Sequence, residues 1–403
     1  MKILFLSDDF PPQSYGGAGI VAFKLSQGML REGHQVAVVT TVQDKQGAGR
    51  LEYEGLMVYK LYSNYLERWQ AYLSLYHPSI TKQVKKIIKE WQPDVVHAHN
   101  IHYHLSYHSL KLAKESGAKV FLTAHDVMLF HYGKLGNTND RVSPRQQLKK
   151  FKKRYNPFRN VAIRHYLKYV DKILAVSYAL KDALNQNGIL NVEVVHNGID
   201  ADSWQVDPAT IDKFKEKYNL HGKKVVFFGG RLGVAKGGNQ AVLLIAEVTK
   251  KIPEAVLLVM GPQNVFADEM VKYAKTLNIE KHLVFTGWIS GTVLKAAYGA
   301  SDLVCVLSIY MDPFPTVVLE AMACSRPVIG TCFGGTKEMV DDKITGFLIN
   351  PLDVGEARTR TVELLNDPLK AQGFGKAGFN KVLSHFTLAE QVRKVLQYYQ
   401  EEI

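Results

Sequence analysis

The stretch VEVVHNGID, residues Val192–Asp200, is where the pattern of the chain begins again. On both sides of it, short apolar runs alternate with segments of helical spacing, and Asn197-Gly198 within it is a strong turn signal. Continuous apolar strands separated by helices indicate a parallel sheet covered on both faces. The sequence therefore predicts an α/β fold of two doubly wound domains, residues 1–196 and 197–382, facing each other across a cleft. Residues 383–403 are expected to form a helix that packs back on the first domain.

The predicted strands also indicate where a ligand would bind. In doubly wound sheets, ligands lie outside the carboxyl ends of the strands. The predicted strands of the first domain are Lys2–Ser7, His34–Thr40, Pro93–His99, Ala118–Thr123 and Lys172–Val176. Those of the second domain are Lys223–Gly230, Ala255–Gly261, Leu283–Gly287, Leu303–Ser308, Pro327–Thr331 and Gly346–Asn350. The candidate site residues are therefore expected in the loops that follow these strands.

Composition narrows the class of protein and its partners. The 403 residues carry a formal net charge of +12, and 46% of them are hydrophobic, which is ordinary for a soluble globular protein. The positive charge favours an anionic partner: nucleic acid, an anionic membrane or a phosphorylated ligand. Cys305, Cys324 and Cys332 are too few and too scattered for a disulfide framework or a zinc site. Because the start does not look like a signal peptide and no long apolar segment occurs, we expect a cytoplasmic protein.

The segment DPFPTVVLEAMA, Asp312–Ala323, places two carboxylates around the start of a helix. Pro315 suits the first helical position, so the helix is expected to begin near Thr316. Its first free N–H groups can bind phosphate, and they belong to Thr316, Val317 and Val318. Glu320 lies one turn into the helix on the face of Thr316, so both acids reach the helix mouth. A plain helix start with one exposed glutamate is the alternative.

Two further segments have the glycines of a ligand-binding turn. In FFGGRLGVAKGG, Phe227–Gly238, glycines allow close approach while Arg231 and Lys236 neutralise a pyrophosphate. The spacing is not that of a Walker A loop, and ordinary surface cations are the alternative. In SYGGAG, Ser14–Gly19, the dinucleotide-binding spacing is absent. Close approach of Gly16 or Gly17 to a ligand remains open, as does a simple tight turn.

Histidines are concentrated in the first domain. HAHNIHYH contains His97, His99, His102 and His104, but no acidic residue is interleaved and the rings are expected to diverge, so we expect no metal site. His125 in TAHD ends a strand and is expected to face the cleft. A core or capping histidine is the alternative.

The segment Arg145–Lys172 holds ten basic residues against one acid, with aromatic residues between them. This balance favours an anionic membrane surface or a polyanionic acceptor. A nucleic-acid-binding protein remains an alternative, but no nucleic-acid-binding signature accompanies the charge, so nucleic acid is not the expected partner. A solvated helix face is the alternative.

Taken together, these motifs resemble the retaining glycosyltransferases of family 4, whose GT-B fold has two Rossmann-like domains. The family pattern of an acid, seven residues and a glutamate is matched by Asp312 and Glu320. The resemblance covers nearly the whole chain. It is strongest in Gly230–Gly237, Val284–Trp288, Ser301–Ser308, Asp312–Gly330, Gly334–Val340 and Thr345–Ile349.

The resemblance implies a nucleotide-sugar donor held mostly by the second domain. Arg231 and Lys236 would hold the diphosphate, Glu320 the ribose hydroxyls, and Asp312 would lie beside the donor sugar. His125 would contact that sugar from the first domain. The remaining donor-binding residues implied by the resemblance are Gly16, Gly17, Trp288, Ile289, Phe314, Pro315, Thr316 and Val317. Such enzymes retain the anomeric configuration and need no metal or other cofactor.

The sequence departs from the family pattern where the donor sugar would lie. Asp312 stands where glutamate is usual, and Pro315 and Ser325 stand where glycine is frequent. UDP-glucose is the favoured donor, with a GDP-mannose-dependent mannosyltransferase or a non-catalytic nucleotide-sugar-binding protein as alternatives. The expected acceptor is a saccharide or a lipid-linked molecule in polysaccharide or glycolipid biosynthesis. The basic segment would place the enzyme on the inner face of the cytoplasmic membrane.

Overall fold

A computed structural model describes residues 1–13, 16–136 and 141–402. Within these residues the chain forms two compact units. The first contains residues 1–135, 141–197 and 388–402 as far as they are described, and the second contains residues 136 and 198–387. The observed divisions therefore follow residues 197 and 387, where the sequence placed them after 196 and 382.

The first unit is built on a mostly parallel sheet of eight strands in the described residues. Its strands are Lys2–Ser7 (β1), Gln35–Val42 (β2), Gly49–Tyr53 (β3), Leu56–Tyr62 (β4), Val95–His99 (β5), Lys119–Ala124 (β6), Lys172–Ala175 (β7) and Val192–Val194 (β8). Their order is β3-β4-β2-β1-β5-β6-β7-β8. The first seven helices are Gly17–Arg31 (α1), Gln70–Leu73 (α2), Pro78–Trp91 (α3), His108–Glu115 (α4), Pro144–Phe151 (α5), Arg159–Leu167 (α6) and Tyr178–Gln186 (α7).

One hairpin in this sheet was not predicted from the sequence. Strands β3 and β4 pair antiparallel, whereas the other pairs of the sheet are parallel. They are joined at Glu54-Gly55, whose φ angles of 51° and 79° suit a tight hairpin turn. Strand β3 is largely solvent-exposed, so it lacks the continuous apolar run that identifies the buried strands.

The second unit is built on six parallel strands in the described residues. They are Lys224–Gly229 (β9), Ala255–Met260 (β10), Leu283–Gly287 (β11), Leu303–Val306 (β12), Val328–Thr331 (β13) and Gly346–Ile349 (β14), in the order β11-β10-β9-β12-β13-β14. Its helices are Pro208–Lys217 (α8), Gly238–Thr249 (α9), Val265–Thr276 (α10), Gly291–Gly299 (α11), Thr316–Ala323 (α12), Thr336–Met339 (α13), Val354–Asn366 (α14) and Pro368–His385 (α15). The prediction of two doubly wound α/β domains is confirmed.

The last helix, Leu388–Glu402 (α16), belongs to the first unit. It packs against α1, where a Cβ added to Gly28 would lie 2.4 Å from Val392 Cγ2. Val392 and Tyr399 are buried in the core of this unit. A larger residue at position 28 would therefore push the two helices apart.

In each sheet the strand order reverses at one place. The switch point of the first unit lies between β1 and β5, and that of the second unit lies between β9 and β12. Because parallel strands end at the same edge, the loops after these strands are neighbours, and ligands bind beside such switch points. Candidate site residues are therefore expected in these loops.

Candidate functional site

The loop after β9 requires a glycine to reach the switch point of the second unit. Gly237 has φ +83° and precedes α9. A Cβ added there would lie 2.0 Å from the carbonyl oxygen of Leu307, which follows β12. The backbones after β9 and β12 are therefore in direct contact, and this contact brings Lys236 beside the loop that carries Asp312.

Lys236 and Asp312 form an ion pair at this switch point. Lys236 Nζ lies 2.6 Å from Asp312 Oδ2, and Ser308 Oγ donates a hydrogen bond of 2.7 Å to the same oxygen. The Asp312 residue is only 4% exposed, whereas 27% of the Lys236 side chain remains accessible. A fixed carboxylate thus holds a partly accessible cation at the carboxyl edge of the sheet.

The backbone of Asp312 is held by a second glycine turn. Gly335 N–H donates to Asp312 O at 2.9 Å, and Gly334 has φ +65°. A Cβ on Gly334 would lie 2.2 Å from Asp312 O, so a larger residue would displace the acid. The GGTKEMV segment therefore fixes Asp312, although its side chains are not part of the ion pair.

Helix α12 differs in two details from its predicted form. Pro315 is the residue that caps the helix and not its first helical residue, which is Thr316. Val318 N–H donates to Pro315 O at 3.0 Å and is engaged in the first turn, so it does not remain for phosphate as predicted. A Cβ on Gly230 would lie 3.9 Å from Val317 Cγ2, which places the glycine loop beside the start of the helix. The N–H groups of Thr316 and Val317 remain the candidates for an anion.

Glu320 is half-buried and is held by a residue that sequence reasoning missed. Tyr298 in α11 donates a hydrogen bond of 2.6 Å to Glu320 Oε2 and is itself fully buried. Burial raises the pKa of Glu320, while hydrogen bonds from Tyr298 and Thr316 oppose that rise. The carboxylate is thus oriented by hydroxyl groups. No local motif identified Tyr298, because the pair forms only when α11 and α12 come together.

The other predicted residues of the second unit occupy different surroundings. Arg231 is exposed after β9. Trp288, 44% exposed, and Ile289 follow β11, the edge strand that lies two places from β9. Phe314 is buried with its ring centroid 5.9 Å from that of Phe386, so its side chain belongs to the core. A ligand contact at Phe314 would therefore have to use its backbone.

In the first unit, His125 directly follows β6 and faces a second histidine. His125 Nε2 lies 2.9 Å from His99 Nδ1. Burial lowers the pKa of His125 to about 4, so the ring is neutral near pH 7. The structure therefore places His125 in a cluster of histidines at the carboxyl ends of β5 and β6.

In the described part of the glycine segment of the first unit, the closest packing occurs at a glycine other than Gly16 and Gly17. Gly16 caps α1 and Gly17 is its exposed first residue, where an added Cβ would have no atom within 4 Å. At Gly19, in contrast, an added Cβ would lie 2.6 Å from Asp9 O. Packing therefore requires glycine at position 19, whereas the described residues leave open space around Gly17.

Two of the clustered histidines, His97 and His104, have hydroxyl partners. His97 Nδ1 lies 2.6 Å from Tyr399 Oη and its Nε2 lies 2.7 Å from Thr123 Oγ1. His104 Nδ1 lies 2.8 Å from Ser63 Oγ. Across the described ranges, no group of three His, Cys, Asp or Glu side chains is arranged to hold a metal ion.

Asp8 is the acid at the switch point of the first unit, and the sequence did not single it out. Its carboxylate accepts backbone hydrogen bonds from Tyr103, His104 and Leu105 at 2.7, 2.9 and 2.7 Å. Burial outweighs these bonds and raises its pKa to about 7. The only sequence signal was its place directly after the first strand.

Fewer cations of the basic segment Arg145–Lys172 are free of protein contacts than its composition suggested. Arg159 is 1% exposed and donates to Met128 O at 2.6 Å, so it is a core residue. Arg154 makes a bidentate pair with Glu67 at 2.5 and 2.7 Å. Tertiary contacts therefore engage some of the ten cations, and the expected contact with an anionic surface stays a prediction. The clearly exposed cations at its start are Arg145, Lys149, Lys150 and Lys152.

No described helix is both long enough and apolar enough to cross a membrane.

Two α/β units, one built on a mostly parallel sheet and one on a parallel sheet, define a protein of the Rossmann-like class. The family model "Glycosyl transferases group 1" matches residues 210–381, and the model "Glycosyltransferase Family 4" matches residues 15–203. Between them the two models cover most of both units. The chain therefore belongs to the family 4 glycosyltransferases.

Individual relatives agree with this assignment. The chain is 25% identical over 406 residues to a glycogen synthase of Mycobacterium tuberculosis, covering 96% of this chain and 91% of that protein. It is 28% identical over 195 residues to a GDP-mannose-dependent phosphatidylinositol monomannoside mannosyltransferase of Mycolicibacterium smegmatis, covering 47% of this chain and 51% of that protein.

Solved structures share the whole fold. HepE of Anabaena, crystallised with UDP and glucose, has a TM-score of 0.77 at 20% identity and full coverage of both chains. Sucrose-phosphate synthase of Thermosynechococcus elongatus has a TM-score of 0.79 at 19% identity, covering 100% of this chain and 99% of that one. The GT-B fold implied by the sequence motifs is confirmed.

Proposed function

We propose that this glycosyltransferase is a retaining enzyme that transfers a hexose from a UDP-sugar, with UDP-glucose favoured, to a saccharide or lipid-linked acceptor. The observation that carries the proposal is the Lys236–Asp312 ion pair, at 2.6 Å, beside the start of α12. A fixed acid next to an accessible cation suits a ligand that has a sugar joined to a diphosphate. Retention is taken from the family resemblance, and NMR of the first-formed anomer tests it.

The diphosphate is the leaving group, so its developing charge must be stabilised. Lys236 and Arg231 supply cations, and the N–H groups at the start of α12 supply oriented dipoles. Asp312 neutralises Lys236 before the donor binds, and the phosphate would then take over part of that pairing. We therefore propose that transfer needs no metal. Activity that is lost with EDTA and regained with manganese would contradict this.

Glu320 is proposed to bind the ribose hydroxyls of the nucleotide. Tyr298 donates a hydrogen bond of 2.6 Å to Glu320 Oε2 and so orients the carboxylate. Trp288 and Ile289 are proposed to lie along the base, and His125 is proposed to contact the donor sugar. Gly16 and Gly17 are likewise proposed to contact the ligand.

The identity of the donor is tested by a thermal-shift panel of nucleotide sugars. Ligands that bind the native state raise its melting temperature. UDP-glucose should give the largest shift among UDP-glucose, UDP-GlcNAc and GDP-mannose. A larger shift with GDP-mannose would favour a mannosyltransferase, the candidate supported by the mycolicibacterial relative.

A non-catalytic nucleotide-sugar-binding protein is the remaining alternative. The panel alone does not distinguish it, because binding without turnover gives the same shift. Release of UDP from the preferred donor, measured with and without saccharide acceptors, does distinguish it. Binding with no release under any acceptor condition would favour the alternative.

We further propose that the start of the basic segment contacts an anionic membrane surface, where the enzyme would act peripherally on a lipid-linked acceptor. Three exposed cations on α5, the exposed Lys152 directly after it and a 74% exposed Phe158 support this. Each cation near an anionic leaflet contributes about 1 kcal/mol, so four suffice for reversible attachment. Such attraction weakens with salt.

Flotation with liposomes tests the membrane proposal. Wild type should co-float with anionic vesicles at low salt and not with neutral ones. The test variant replaces with serine the exposed residues Arg145, Lys149, Lys150 and Lys152. A matched control makes the same charge change on α3, at the exposed residues Lys82, Lys85, Lys86 and Lys89. Loss of flotation in the test variant alone supports the surface, and equal behaviour of the two variants contradicts it.

A further inference from the structure

The histidine cluster of the first unit contains a feature that the proposed function does not use. His99 is fully buried, and one of its two ring nitrogens, Nδ1, lies 2.9 Å from His125 Nε2. Its other nitrogen, Nε2, is buried and has no hydrogen-bond partner among the residues that the structure describes. This asymmetry bears on which nitrogen carries the proton.

Two neutral tautomer arrangements are compatible with the short contact. Burial lowers the pKa of both rings, so each carries one N–H near neutral pH. In the first arrangement His99 Nδ1–H donates to His125 Nε2, and the buried Nε2 of His99 is a bare acceptor. In the second, His125 Nε2–H donates, and His99 must keep a proton on its unpartnered Nε2.

The two arrangements differ in cost. Among buried backbone groups, N–H donors without a partner are rarer than under-satisfied acceptors, and we apply the same order to the ring nitrogens. The first arrangement leaves only an acceptor unsatisfied, whereas the second buries an unsatisfied donor. The first is therefore the more stable, and it leaves the proton of His125 on Nδ1.

Neighbouring rings restrict rotation of the His99 ring, so its two nitrogens do not easily exchange places. Its centroid lies 4.4 Å from that of His97 and 5.7 Å from that of Phe5. His97 is in turn held between Tyr399 of α16 and Thr123 of β6. The C-terminal helix thus supports the ring that contacts His125.

We propose that His99 is a positioning residue that fixes His125 as its Nδ1–H tautomer, so that His125 offers a hydrogen-bond donor to the donor sugar. This deepens the proposed function and rests on the proposed contact between His125 and that sugar. His125 then binds a sugar oxygen as a donor and does not act as a general base through Nδ1. Its role is to orient the donor sugar.

The tautomer is measured directly on the wild-type protein, independently of activity. In protein labelled with 15N-histidine, two-bond 15N–1H correlations distinguish the Nδ1–H and Nε2–H forms, and the His125→Asn variant assigns the signals. We expect the Nδ1–H form for His125 and for His99. The Nε2–H form at His125 would overturn the proposal while leaving the glycosyltransferase function intact.

Paired substitutions test the consequence for catalysis. Asparagine places an amide near the Nδ1 position and glutamine near the Nε2 position of histidine. His125→Asn should therefore keep a kcat/KM about fivefold higher than His125→Gln, on the scale of one neutral hydrogen bond. Equal values would overturn the donor role.

Variants of His99 test positioning itself. His99→Phe removes the bond to His125 and should lower kcat severalfold, while UDP affinity stays unchanged. His99→Asn keeps a donor near Nδ1 and should recover most of the loss. No loss in His99→Phe, or no recovery in a folded His99→Asn, would contradict the proposal. Should His99→Phe not fold, the comparison of His99→Asn with wild type and the tautomer measurement still decide it.

The outcomes also separate this inference from the function on which it rests. Full activity in both His125 variants, together with a measured Nδ1–H tautomer, would remove the proposed sugar contact. The absence of any nucleotide-sugar binding in the thermal-shift panel would remove the proposed function. Both results differ from the measurement of an Nε2–H tautomer at His125, which would overturn this inference alone.

Discussion

Asp8 in the first unit and Asp312 in the second each lie in the loop after a strand at the switch point of a parallel sheet, and their partners differ. Asp8 accepts three hydrogen bonds from consecutive backbone N–H groups at Tyr103, His104 and Leu105. Asp312 is bound by side chains, at 2.6 Å from Lys236 and 2.7 Å from Ser308. The same position in two similar sheets thus holds an acid in two ways.

The two acids differ in whether their hydrogen-bond partners can be exchanged for a ligand. Backbone N–H groups are fixed by the path of the loop, so Asp8 cannot change partner without a change in that loop. A lysine side chain has three donors and several rotatable bonds, so Lys236 can keep Asp312 and also bind an anion. The carboxylate at the first switch point is therefore satisfied by the backbone, whereas the carboxylate at the second can share its cation with a charged ligand.

The largest expected effect is that of removing the exchangeable cation. Lys236→Ala should lower kcat/KM by about 100-fold or more, because a preorganised charge at the leaving group is lost. Enzyme kinetics and calorimetry with UDP measure it. Lys251→Ala, an exposed lysine in the same unit, is the matched control and should behave as wild type. Unchanged UDP affinity together with unchanged turnover in Lys236→Ala would refute the assignment.

The second-largest expected effect is a difference between the roles of the two acids of the second unit, Asp312 and Glu320. Asp312→Asn should lower turnover by about 10- to 100-fold with little change in UDP affinity. Glu320→Gln should weaken UDP binding by about tenfold, on the scale of a hydrogen bond to a charged group. Both changes keep the shape of the side chain. If calorimetry shows an equal loss of UDP affinity in the two variants, the proposed geometry is wrong.

The acid of the first unit should affect stability and not the binding of the donor nucleotide. The pKa of Asp8 is about 7 in the folded protein against an ordinary value of 3.8, because of burial. Between these values the folded state holds a proton that the unfolded state has released. Wild type should therefore lose stability as pH rises from about 4 to 7, by at most about tenfold in the folding equilibrium per pH unit.

Asp8→Asn removes this titration, so its stability should fall less over the same pH range. Denaturant unfolding at several pH values measures the difference between the variant and wild type. Asp94→Asn, at an exposed carboxylate of the same unit that accepts from Lys2 N–H, is the control. Parallel stability curves for wild type and Asp8→Asn would show that Asp8 is not protonated in this range.

The smallest expected effect concerns the hydroxyl that orients Glu320. Tyr298→Phe removes the 2.6 Å hydrogen bond and leaves the buried ring in place. UDP affinity should fall a few-fold, on the scale of one hydrogen bond, while kcat stays near wild type. Because the pKa of Glu320 should rise further without this donor, the loss should grow as pH is lowered. A loss that is independent of pH would indicate that Tyr298 acts only in packing.

Local reasoning predicted the features that depend on residues close in sequence. The strand and helix pattern, the glycine loop with Lys236 and the spacing of Asp312 and Glu320 are of this kind. It failed where the partner is distant in the chain. Asp8 finds its donors 95 to 97 positions away, and Tyr298 lies 22 positions from Glu320.

The sequence by itself determined the two α/β domains, the family and the residue types at the second switch point, because hydrophobic periodicity and glycine turns act within a few residues. Tertiary structure alone decided which polar groups are bound and which remain accessible. Arg159 is buried in spite of its basic neighbours, Asp8 is held by a backbone loop, and His99 faces His125 across adjacent strands. Burial and hydrogen-bond partners set the charge and protonation of a group, and both are fixed only when distant segments pack together.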